Sequence, residues 1–85
     1  MIYTVAWTRP ARNALATLWN NDASARKAIP NAANRIDREL RNNADRSGVP
    51  QPGGRRLLRV PPLAVVFTVN PGDCMATVVQ VVRIS

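Results

Sequence analysis

Histidine is absent from this chain, and cysteine, lysine, tyrosine and phenylalanine each occur once. Cys74 alone can form no intramolecular disulfide, and without a Cys or His cluster there is nothing to hold zinc. A reducing cytoplasm is the expected compartment. Long apolar runs are missing too: none approaches the roughly 20 residues of a membrane span. The opening MIYTVAWTRP lacks the basic start and apolar stretch of a signal peptide. A soluble, intracellular protein with no membrane partner is expected.

Acidic residues number five against twelve Lys plus Arg, giving a net charge of +7. Eleven of the twelve cations are arginine. Its planar fork gives phosphate or carboxylate two parallel hydrogen bonds and stays charged at any physiological pH, so the balance favours polyanionic partners. The five carboxylates offer no acid–base pair. Asp37 and Glu39 lie two apart on a predicted helix and diverge, Asp22 and Asp45 read as cap or loop residues, and Asp73 belongs to a turn.

Apolar residues, 46% of the chain, are spread along its 85 positions, so one packed domain over residues 1–85 is expected. IYTVAW, residues 2–7, reads as a first strand. Thr8 then supplies an N-cap hydroxyl and Pro10 sits in the first turn of a helix. The stripe of that helix is Ala11, Ala14, Leu15, Leu18 and Trp19. Both Trp7 and Trp19 are read as core residues, with stacking on bases as the alternative.

A second, longer helix is predicted from Ala25, with Ala28, Ile29, Ala32, Ala33, Ile36 and Leu40 facing inward. Pro30 interrupts it. Either the helix kinks there or it starts anew at Pro30; the unbroken phase of the stripe favours a kink. Residues 44–54, ADRSGVPQPGG, read as an exposed loop. Strands follow over 55–60, 63–69 and 75–84, with NPGD at 70–73 as a type II-like turn between the last two. The order β-α-α-β-β-β predicts a two-layer α+β fold, with two helices packed on one face of a mainly antiparallel four-stranded sheet.

In this pattern the chain resembles the RelE/ParE superfamily of bacterial toxins of type II toxin–antitoxin systems. YTVAWTRPARNALATL is similar to the family's opening strand and first helix, and AANRIDRELRNNADRSG to its second helix and exit loop. RRLLRVPPLAVVFTVNPGDCMATVVQVVRI resembles its closing meander. The resemblance implies a small sheet with a basic working face and a cognate antitoxin that masks it. One branch cleaves mRNA on the ribosome without a metal, its Lys and Arg stabilising the scissile phosphate. The other inhibits DNA gyrase without cleavage, and neither branch implies a metal or an organic cofactor.

Arg55 and Arg59, four apart on one strand, share a face, while Arg56 points the other way with Leu58 and Val60. If Leu58 and Val60 face the helices, Arg55 and Arg59 face the open side. Arg83 joins them if its own face, shared with Val79 and Val81, is the open one. The expected phosphate-facing, transition-state-stabilising set is Arg55, Arg59 and Arg83, with Arg56 as an edge contact to nucleic acid. A toxin that inhibits translation by ribosome-dependent mRNA cleavage is the leading expectation. The alternatives are a non-catalytic gyrase inhibitor and a member that only binds antitoxin or nucleic acid.

Overall fold

The computed structural model describes residues 2 to 84, the side chain of Ala25 excepted. Strand β1 (Thr4–Trp7) leads into helix α1 (Arg9–Asn21). Thr8 caps that helix as its composition predicts, the hydroxyl accepting from the Ala11 N–H at 3.2 Å. A single 3-10 turn (Ala23–Ala25) separates α1 from helix α2 (Ala28–Asn43).

Pro30 does not kink α2. The helix begins at Ala28, three residues later than the apolar stripe suggests, and Pro30 becomes its third residue, where an N–H would have no intrahelical partner. The carbonyl that residue 30 would otherwise seek, that of Arg26, accepts the Trp19 indole N–H at 3.3 Å. Ile29, Ala32, Ile36 and Leu40 form the buried stripe of α2 as expected. Ala25 belongs to the preceding turn, and its side chain lies outside the described residues.

The sheet has five strands rather than four, in the order β1-β5-β4-β3-β2. The extra strand, β2 (Val49–Gln51), comes from the segment read as loop, and it pairs with β3 (Arg55–Val60) at the sheet edge. Pro50 made this segment look non-regular, but an edge strand tolerates a residue without an N–H. Strands β4 (Leu63–Asn70) and β5 (Met75–Arg83) complete an antiparallel meander, and β1 joins β5 in parallel. The turn between β4 and β5 is not type II at Pro71-Gly72. Its left-handed residue is Cys74 at φ 51°, and the Cys74 N–H bonds the Pro71 carbonyl at 3.2 Å.

Both helices cover one face of the sheet, α1 over β5 and α2 over β1, β3 and β4. Leu63, Val65 and Phe67 of β4, Val60 of β3 and Ala76, Val78 and Val81 of β5 supply the sheet side of the core. Fully burying a Val, Leu or Phe side chain of this set stabilises by about 1.5–3 kcal/mol. Among the described residues no helix is long and apolar enough to cross a membrane.

The edges of the sheet are partly occupied. On the outer side of β1 the Tyr3 N–H donates to the Arg41 carbonyl at 2.8 Å, and the Trp7 carbonyl accepts the Arg12 Nε–H at 3.2 Å. On the far side the outermost strand is three residues long with Pro50 at its centre.

Candidate functional site

The face of the sheet away from the helices is set by register. Leu57 of β3 pairs with Val66, Arg55 with Thr68 and Arg59 with Ala64, all out of phase with the buried Leu63, Val65 and Phe67. Arg55 and Arg59 are exposed on this open face, separated by four residues of strand, roughly 13 Å. Ala64 is 3% exposed there because it stands between the longer Arg59 and Val82. Beside Arg59 a shallow hollow of about 350 Å³ is walled by Leu57, Val49, Gln51 and Gly48. Strand β2, missed from sequence, therefore builds half of this hollow.

Arg83 does not join the pair. Val66 lies opposite Gln80 but Phe67 lies opposite Val78, so Val79 is an extra residue that reverses the alternation of β5. Arg83 consequently pairs with Leu63 on the helix side, where it forms an ion pair with Asp22 just beyond α1. The valines on both faces of this strand carry no phase signal, so the bulge left no trace in the sequence.

Arg56 also stands on the helix side, opposite Phe67. Its Nε–H donates to the Ser47 carbonyl at 2.7 Å and an Nη2–H to the Gly48 carbonyl at 3.3 Å. The Ser47 hydroxyl is buried and bonds the Asn43 carbonyl at 2.7 Å. Arg56 thus clamps the exit of α2 to β3. The four arginines singled out from sequence divide into an exposed pair, an ion-paired strand end and an internal clamp.

Groups able to move a proton are elsewhere. Tyr3 is buried just before β1, its phenol raised above the ordinary value of 10.0 first by desolvation and then by the nearby Asp45 and Cys74. Among the described residues no three His, Cys, Asp or Glu side chains are grouped as metal ligands.

A second surface lies between the helices. A groove of about 520 Å³ is lined by Trp7, Leu15, Trp19, Ile29 and Ala33, with Arg12, Asn34 and Asp37 along it. Trp19, read from its helical phase as a core residue, is 39% exposed here. The Arg26 guanidinium lies 5.1 Å from its ring centroid.

No protein-family model matches this chain, and no curated protein sequence does. Its structure is similar to that of the toxin–antitoxin complex RelBE2 from Mycobacterium tuberculosis, with a TM-score of 0.76 at 15% identity, covering 98% of this chain and 92% of the other. It is also similar to the chromosomal ParDE toxin–antitoxin system of P. aeruginosa, with a TM-score of 0.81 at 20% identity, covering 99% and 98%. The likeness is one of fold and spans nearly the whole of each chain.

Proposed function

The fold is that of the RelE/ParE toxins, and we propose that this chain is the toxin of a type II toxin–antitoxin pair, acting in the cytoplasm by binding its target rather than by cutting it. The make-up of the open face supports this reading. Arg55 and Arg59 can hold an anion there, while their neighbours on that face are Leu57, Ala64, Val66, Thr68, Gln80 and Val82. None of these neighbours accepts and returns a proton near neutral pH, which strand cleavage requires, and the carboxylate that shares a hollow with Arg55, that of Asp45, lies off the face beyond the end of α2. Binding needs only shape and charge, and DNA gyrase is the target on this reading.

The arginine pair itself favours a second reading, a metal-independent endoribonuclease that cleaves mRNA on the ribosome. There Arg55 and Arg59 stabilise the charge developing on phosphorus and the ribosome or the RNA supplies the proton transfers.

The partner on either reading is a cognate antitoxin. The groove between α1 and α2 suits an amphipathic helix with acidic flanks: its floor is apolar, Arg12 lines it, Arg26 lies over its Trp19, its one carboxylate, Asp37, is already paired with Arg41, and the chain carries +7 overall.

Two assays separate the readings. Gyrase supercoiling should fall at micromolar concentrations of pure protein, and induced expression should leave mRNA 5′ ends unchanged. Codon-phased cuts would replace the first reading by the second. Replacing Arg55 and Arg59 together by Ala should relieve growth arrest while circular dichroism stays that of the parent. Full toxicity in that folded variant would remove the open face from consideration.

A further inference from the structure

The outer side of α2 carries a face that neither the open sheet nor the interhelical groove uses. Lys27, at the N-cap, is followed by Asn31, Arg35, Arg38 and Asn42 at spacings of four, four, three and four. Helical geometry puts the five on one stripe, about 22 Å long. All are exposed, and the buried stripe of Ile29, Ala32, Ile36 and Leu40 lies on the other side, toward β1, β3 and β4. The groove takes a different flank of α2, that of Pro30, Ala33, Asn34 and Asp37.

No acid stands in this stripe, and those beside it are engaged. Asp37 pairs with Arg41 at 2.6 Å, and Glu39, although four residues from Arg35, reaches the Ser47 hydroxyl at 3.1 Å instead. Past the helix, Asp45 and Arg46 offset one another in net charge. Lys27, Arg35 and Arg38 are left uncompensated, their side chains forming no ion pair or hydrogen bond with a described residue. The Asn42 amide donates to the Arg38 carbonyl at 3.0 Å, so Asn31 is the stripe's free amide.

Charge and shape together select the partner. Three uncompensated cations along one helix call for a polyanion, and an amide between them can pair with the edge of adenine as well as with phosphate oxygens. The major groove of B-form DNA, about 12 Å wide, admits an α-helix. The deep, narrow major groove of A-form RNA does not. Single strands are held largely by stacking on aromatic rings, and the stripe has none.

We propose that the outer face of α2 binds duplex DNA along its major groove, with Asn31 at base edges and Lys27, Arg35 and Arg38 on the flanking phosphates. The surface is separate from those assigned above to the target and the antitoxin, and it stands whether or not those assignments do.

Fluorescence anisotropy of the pure chain with a labelled DNA duplex, the RNA duplex of the same sequence and the single DNA strand tests it. The DNA duplex should bind about tenfold or more tighter than the RNA duplex, the scale of one good base contact that the A-form groove denies. Arg38→Ala should lower the slope of log affinity against log salt by about 1, one phosphate contact fewer. Arg9→Ala, which removes the same charge at the start of α1, should leave that slope unchanged. Asn31→Ala should weaken the DNA complex severalfold at constant slope, because a neutral amide releases no counterion. Alanine is the best helix former, so the α2 variants should keep the parent's circular dichroism. Amide NMR shifts on adding DNA should centre on residues 27–42. Equal affinity for the RNA duplex, equal losses in Arg9→Ala and Arg38→Ala, or shifts centred on β3 and β4 would each overturn the assignment, the last in favour of the open face.

Discussion

Gly48 and Gly53 both have positive φ, +71° and +83°, in very different surroundings. A Cβ on Gly48 would lie 2.3 Å from the Leu57 carbonyl oxygen, whereas one on Gly53 would meet nothing within 4 Å. Replacing either by Ala incurs the left-handed penalty of roughly 1–2 kcal/mol. At Gly48 the new methyl must also displace backbone by about 1 Å, which breaks the pairing of β2 with β3 and the Arg56 hydrogen bonds to Ser47 and Gly48. Each bond to a charged donor is worth about 1.5–3 kcal/mol, so with both lost the total for Gly48→Ala comes to about 4–8 kcal/mol. Marginal stability of about 5–15 kcal/mol leaves little after such a loss. For a chain of this size each kcal/mol lowers Tm by about 4–8 °C. Thermal unfolding followed by circular dichroism should therefore show Gly48→Ala lower by more than about 16 °C and Gly53→Ala by about 4–16 °C. Equal shifts in the two variants would refute the argument, because only the contact with Leu57 distinguishes them.

The remaining expectations concern Tyr3 and Trp19. The folded phenol of Tyr3 titrates above 10.0, so between the unfolded and folded values the unfolded chain has lost a proton that the native one keeps. Stability is fully present below pH 10 and declines as pH rises through the folded value; Tyr3→Phe should flatten that decline in denaturant titrations, and an unchanged slope would count against it. Trp19→Ala should weaken an antitoxin complex by tenfold or more, the scale of a buried aromatic anchor, with little loss of Tm because the ring is already part exposed. Native-strength binding by Trp19→Ala in pull-down or calorimetry would take the groove out of the interface.

The elements whose pattern has one dominant period were legible before any coordinates. Thr8 and Pro10 mark the start of α1, the Ile29–Leu40 stripe marks α2, and RRLLRV marks β3 to the residue. The failures have separable physical causes. Pro30 looks like an interior proline in the sequence because the alanines before it extend the helical phase backward, although a separate 3-10 turn satisfies that phase equally well. β2 escaped because its three residues are all exposed and carry no burial signal. Arg83, expected in the phosphate-facing set, stands on the other face, since Val78, Val79, Val81 and Val82 fit either face and a single bulge decides between them. Trp19 follows the stripe of α1 faithfully, but α2 does not close over that end of it.

The two ends of the β1 edge are occupied by Arg41 and Arg12, and Pro50 sits in the outermost strand on the opposite side. A small sheet rich in Val, Leu and Phe is the type of sequence that stacks into fibrils when its margins are free to pair. Here neither margin offers an uninterrupted ladder to a neighbouring chain. A molecule released from its binding partner should accordingly persist as separate particles, and light scattering should stay flat with time at concentrations where an unprotected valine-rich sheet would polymerise.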